Sequence, residues 1–226
     1  MEVYVNNTKS KREILREKRK EQKRRRTITV IIIVGVAVIL FSFAALLPKL
    51  IMGKVKYKNA LGFSVGDPDA PVTVTEFSSY SCGYCKNFSE SYESDFIAKY
   101  VDTGLVYFTY INLPSGSEES LAAAEASYCA AEQDLFFEYK EFLFTYSGSE
   151  NGFSENNLIT YASSAGLNVS DFQVCMDSDI YANAYLDDYQ YATDAGLTGT
   201  PSFLINGTSL VLSSQLDDTV DAYLGN

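Results

Sequence analysis

A chain of 226 residues has room for one full domain with attachments, and its 46% apolar and 14% aromatic content excludes global disorder. It has no His, which removes the commonest general base and the commonest metal ligand. Of the net charge of −11, residues 1–26 carry eleven Lys/Arg against four Glu, whereas residues 59–226 carry 25 acidic groups against three Lys, so the globular part repels nucleic acid.

The first element is the uncharged run of residues 27–47, long enough at about 1.5 Å per residue to span roughly 30 Å of hydrocarbon as a transmembrane helix. Lys and Arg are far denser before it than after it, which orients residues 1–26 as a basic cytoplasmic tail against anionic lipid and places the acidic domain outside. A cleaved signal peptide is the competing reading. Its apolar stretch usually runs about 7–15 residues before a small-residue site, and Ser42-Phe43-Ala44 fits that poorly. Residues 48–66 read as a juxtamembrane linker, and residues 67–226 as the catalytic domain, entered through the turn cluster Gly66-Asp67-Pro68-Asp69.

Residues 71–77 are short, β-branched and bounded by turn residues, the pattern of a buried strand. A helix is predicted over 83–100, with Phe88, Tyr92, Phe96 and Tyr100 recurring on one face, followed by a stop at Gly104 and a second strand over 105–111. From about 117 to 195 the pattern is helical throughout, with breaks near 147–152 and 166–170. A strand over 200–205, a hairpin turn at Asn206-Gly207, a return strand over 208–212 and a helix over 216–224 close the chain. This order predicts an α/β fold whose mixed sheet carries an all-helical insertion between its second and third strands, the first two strands being parallel.

Cys82-Gly83-Tyr84-Cys85 holds the chemistry. Zinc would need Cys129 and Cys175 as distant third and fourth ligands, since no second Cys-x-x-Cys exists; no metal or organic cofactor is expected. Placement just after a buried strand, at a helix N-terminus, favours a redox pair. Unpaired N–H groups and the helix dipole there stabilise a thiolate on Cys82, while Cys85, one turn inside, is more buried and less acidic. Cys82 is therefore expected to form the mixed disulfide with substrate and Cys85 to resolve it. Glu76 admits two readings. It is either a buried acid whose raised pKa lets it exchange a proton with Cys85, or a sheet-edge carboxylate facing water.

With Asp69-Ala70-Pro71-Val72, Glu76-Phe77 and the Cys pair in place, followed by Gly199-Thr200-Pro201-Ser202-Phe203, the chain resembles the DsbA-like thioredoxin-fold disulfide oxidoreductases of bacteria over about residues 66–226. The resemblance implies a cis-proline at Pro201 lying against the Cys pair, substrate contacts from the backbone of Thr200 and from Gly83 and Tyr84, and Glu76 at the family's buried acidic position. Reoxidation by a membrane quinone-linked thiol oxidase is implied in the same way. Two departures stand out. Gly83-Tyr84 supplies no imidazole to the Cys82 thiolate, which predicts a milder oxidant. The second strand has no Lys to pair with Glu76.

Cys129 and Cys175 make an even cysteine count, and outside the cytoplasm two thiols not needed for catalysis usually pair; separate buried thiols or a second redox relay are the alternatives. Tyr181, Tyr185 and Tyr189 share a helical face that either packs inside or lines a peptide groove. The leading expectation is an extracytoplasmic oxidase that introduces disulfides into exported proteins. The alternatives are a reductase or isomerase kept reduced by a membrane donor, and a non-catalytic chaperone or peptide-binding module.

Overall fold

The computed structural model describes Tyr57 and residues 59–225; the expected basic tail, membrane span and most of the linker lie outside the described residues. Among the described residues no helix is long and apolar enough to cross a membrane.

Five strands form one mixed sheet: β1 (Ser64–Val65), β2 (Val72–Ser78), β3 (Val106–Asn112), β4 (Ser202–Ile205) and β5 (Ser209–Leu212). Their spatial order is β1-β3-β2-β4-β5. β2 runs parallel to β3 and antiparallel to β4, so it is central, with Glu76 opposite Tyr110 on one side and Phe203 on the other. β1 falls inside the stretch read as a linker. The aromatic residues leading into it explain why: Tyr57 packs 4.8 Å from Phe137, and Phe63 packs edge-on against Tyr128 and Phe136.

Between β2 and β3 lie α1 (Gly83–Ser91), α2 (Glu93–Phe96) and a π-helical turn (Ile97–Val101), where the sequence predicts one helix. The break is at Tyr92, whose φ of −129° leaves helical geometry. It turns Tyr92 outward, 63% exposed, and Glu93 inward, while Phe96 and Tyr100 keep the buried face that the periodicity anticipates. The insertion comprises α3 (Glu118–Ala131), α4 (Phe136–Tyr146), α5 (Glu155–Ala165), α6 (Val169–Asp177) and α7 (Tyr185–Asp194), and α8 (Leu216–Leu224) closes the chain.

Strand periodicity decides which helix covers which face. Val106, Phe108 and Tyr110 alternate inward with Val74, Glu76 and Phe203. That face is covered by Phe88 of α1, Phe96 of α2, and Phe136 and Phe144 of α4. The opposite face, with Phe77 and Leu204, packs on Ala192 of α7 in a smaller cluster. Cys129 of α3 and Cys175 of α6 are joined by a disulfide 46 residues apart.

Candidate active site

Cys82 is the N-cap of α1. Its extended backbone (φ −97°, ψ 118°) turns the chain into the helix, and its Sγ accepts a hydrogen bond from the N–H of Cys85 at 3.4 Å. Cys82 is half-buried and Cys85 is buried. Across from them, Thr200-Pro201 is a cis peptide, and the Thr200 carbonyl accepts a hydrogen bond from Cys82 Sγ at 3.3 Å. Pro201 and Thr200 thus stand beside the pair that lies 118 positions earlier in sequence. Gly83 starts α1 with open space around its Cα, and Tyr84 is 81% exposed, so the two intervening residues face outward.

The two thiols are driven in opposite directions. Partial burial of Cys82 favours the thiol, but hydrogen bonds from the Cys85 and Thr200 side chains and from the N–H groups of Cys85 and Tyr84 outweigh it, leaving Cys82 more acidic than an ordinary cysteine. Burial pushes Cys85 up to about 12.

Glu76 is fully buried on the central strand, which removes the water-facing reading. Burial, opposed by Lys140 and reinforced by Glu93, pushes its carboxyl up to about 8. Neither carboxyl oxygen has a hydrogen-bond partner within ordinary distance, nor do the Tyr110 hydroxyl and the Asn112 amide of β3. Ser78, two residues along β2 on the same side, stabilises the ionised forms of both Glu76 and Cys85.

The sequence leaves Glu76 without a cation on β3, and the structure supplies one from the insertion. Lys140 of α4 is fully buried, donates to both carboxylate oxygens of buried Glu93, and holds its Nζ 5.0 Å from the ring centroid of Tyr110. Phe137 and Phe144 complete an aromatic wall around the ammonium at 5.5 and 5.8 Å. A readable signal existed: Lys140 is one of three lysines after residue 58, set among Phe136, Phe137, Phe142 and Phe144.

A groove of about 380 Å³ opens at Cys82, lined among others by Ser81, Ser115, Tyr189, Thr198 and Thr200. Tyr189 is fixed there by donating its hydroxyl to the Pro114 carbonyl. The tyrosine stripe therefore divides: Tyr189 lines the groove, Tyr185 packs edge-on against it, and Tyr181 stacks on Tyr128 and donates to Glu132. A larger cavity of about 480 Å³ between Phe88, Tyr92 and Leu216 includes neither cysteine of the pair.

Comparison with known proteins agrees with this geometry. Residues 58–224 match the Thioredoxin_4 family, described as thioredoxin. A Na(+)/H(+) antiporter NhaA 1 of Mycobacterium sp. (strain KMS) is 30% identical over 146 residues, which is 63% of this chain and 23% of that protein. The chain therefore spans less than a quarter of the length of that antiporter. Disulfide bond formation protein D of Bacillus subtilis (strain 168) is 35% identical over 82 residues, covering 35% of this chain and 37% of that protein. Oxidised BdbD from Bacillus subtilis superposes with a TM-score of 0.64 at 23% identity, over 73% of this chain and 94% of that one, a likeness of fold. The family match covers well over half of the sequence, so the chain belongs to the thioredoxin family, with a helical insertion between β3 and β4 and a Cys-x-x-Cys pair of free thiols.

Proposed function

We propose that this DsbA-like thiol–disulfide oxidoreductase is an oxidase, held outside the cytoplasmic membrane by residues 27–47, that introduces disulfides into exported polypeptides. The opposed pull on its two thiols carries the reading. A substrate thiolate attacks Cys82 Sγ of the Cys82–Cys85 disulfide, forming a mixed disulfide and releasing Cys85 as a thiolate. Burial makes that thiolate strongly basic, and it takes a proton, a role we assign to Glu76, a buried acid of raised proton affinity that shares Ser78 with Cys85. The substrate's second thiolate then attacks its own disulfide-bonded sulfur and expels Cys82, a good leaving group at the N-terminus of α1. Two electrons pass from substrate to the dithiol, and a membrane quinone-linked thiol oxidase removes them.

Thr200 and the groove beside Cys82 suit an extended polypeptide, whose main chain can bond to exposed backbone. The name of the Bacillus subtilis relative, disulfide bond formation protein D, supports the same direction. Equilibration of the Cys82–Cys85 pair with glutathione tests it. An oxidase requires a potential in the range of about −120 to −230 mV, whereas a value near −270 mV, where thioredoxin lies, would move the protein to the reducing side. Location is tested by labelling Cys82 in intact cells with a membrane-impermeant maleimide; protection until lysis would place the domain inside.

A second reading has its own observation. Gly83-Tyr84 brings no cationic side chain to Cys82, and the leading stabilisation of its thiolate comes from hydrogen bonds. A dithiol of intermediate potential kept reduced by a membrane donor would isomerise or reduce disulfides, and the same glutathione equilibrium separates the two.

A further inference from the structure

Two helices far apart in sequence bring one buried ion pair against the central sheet. Glu93 follows the active-site helix, Lys140 lies in the insertion, and both are sealed from water. Such a pair is a poor source of stability, since its desolvation cost offsets its attraction and well-packed apolar residues do as well. Its position suggests another use. The ammonium rests on the face of Tyr110, and Tyr110 is the residue paired in register with Glu76 on a strand about 4.8 Å away. Glu76 is itself fully buried beside that tyrosine, and neither of its carboxyl oxygens has a hydrogen-bond partner within ordinary distance.

We propose that the Lys140–Glu93 ion pair sets the proton affinity of Glu76, making helix α4 of the insertion a positioning element for the proton that Cys85 gains and loses. This rests on the thiol–disulfide reading above and adds residues to it. The charges work against each other. Burial alone would keep Glu76 permanently protonated, able to give a proton to the Cys85 thiolate but unable to take it back during reoxidation. Lys140 favours the carboxylate, and Glu93 limits that effect by neutralising most of the Lys140 charge. The groups that act on Glu76 or feel its charge are Ser78 on its own strand, Cys82 at the start of α1, Tyr80 from the turn after β2, Tyr110 from β3, Glu93 from α2 and Lys140 from α4. Glu141 interacts with both charges of the ion pair, and Tyr57 with Glu93. Lys140 is the only cation in this set, so the sign of each substitution is fixed in advance.

The test uses the full chain, oxidised so that neither Cys82 nor Cys85 titrates, with the Glu76 carboxyl followed by carbon-13 NMR and assigned by its loss in Glu76→Gln. Lys140→Met should move the Glu76 titration to higher pH by about one to two pH units, the effect of one buried charge at this range. Glu93→Gln should move it to lower pH, and Lys140→Arg should leave it near its original position. The pH dependence of disulfide reduction by dithiothreitol should move in the same two directions. Destabilisation without a tuning role would shift neither curve in opposite senses; shifts of equal sign, or none, overturn the proposal. Should Lys140→Met fail to fold, the double variant Lys140→Met/Glu93→Met removes both charges and should give a small upward shift. A downward shift or none there overturns the proposal too. The parent reading fails separately. A Glu76→Gln rate profile that superimposes on the original removes Glu76 from the reaction and takes the proposal with it, and loss of all exchange only on removing Cys82 leaves the oxidoreductase reading in place.

Discussion

Cys82 Sγ and the carbonyl oxygen of Thr200 lie 3.3 Å apart at the mouth of the groove. The Thr200 side chain also favours the ionised form of Cys82, so this residue touches both states of the sulfur. Thr200→Val keeps the carbonyl and removes the hydroxyl. The Cys82 thiol should then become less acidic, and its alkylation by iodoacetamide at pH 6 should slow. An unchanged rate would show that the backbone N–H groups of α1 suffice.

Because Cys82 is the exposed sulfur and Cys85 the sealed one, the two alanine variants should behave differently. Cys85→Ala should accumulate covalent adducts with thiol-containing polypeptides, visible as bands that collapse on reduction, since no internal thiol can resolve them. Cys82→Ala should give none. Equal trapping by both would reverse or dissolve the assignment of roles.

The carboxyl of Glu76 binds its proton more tightly in the folded protein than an ordinary glutamate does, titrating at about 8 instead of 4.5. Its contribution therefore favours the native state at low pH and is lost as pH rises through 8. Glu76→Gln holds the side chain neutral at every pH. Its stabilising effect in urea denaturation should be small near pH 4, grow between about 5 and 8, and reach on the order of a few kcal/mol above that. A variant less stable than the parent at pH 9 would mean that the ionised carboxylate is well compensated.

The Cys129–Cys175 bond closes a loop of 46 residues and ties α3 to α6. Replacing both with Ser should cost about 4 kcal/mol of unfolding free energy by chain entropy. The Cys82–Cys85 equilibrium with glutathione should hold, because neither sulfur touches the dithiol. A shifted potential would give this bond a redox part to play.

Every lysine after residue 58 is engaged: Lys86 donates to the carbonyls of Thr145 and Ser147, Lys99 pairs with Asp217 and Asp221, and Lys140 with Glu93. With 25 acidic residues over the same span, encounter should depend on substrate charge. A dithiol peptide flanked by Lys should react on the order of tenfold faster than one flanked by Glu at low salt, and the gap should close near 0.5 M. Equal rates at low salt would show that local groove contacts dominate.

Much of this arrangement was legible along the chain. Residues 82–85 and 199–207 each carry their geometry locally, through a helix start and a Thr-Pro turn, and the insertion announces itself by its period. What stayed hidden depends on contacts that no spacing encodes. The bend at Tyr92 interrupts a periodic face because Glu93 turns inward to meet Lys140, 47 residues away. β1 forms only because the aromatics before it find partners on α3 and α4. Glu76 could be read as buried or exposed until its strand was known to be central. The cation that acts on that acid is absent from β3, the neighbouring strand, and belongs to α4, where it pairs with Glu93.

That borrowed cation limits how far the molecule can be recombined. The helical lobe sits between β3 and β4 as though it were a module to be exchanged for another of similar size. A chimaera carrying a foreign lobe with no lysine at this position would leave Glu93 charged, dry and alone, a defect costing about 3–5 kcal/mol. Substitutions at 93 and 140 must therefore travel together, and the lobe and the sheet are one inheritable unit.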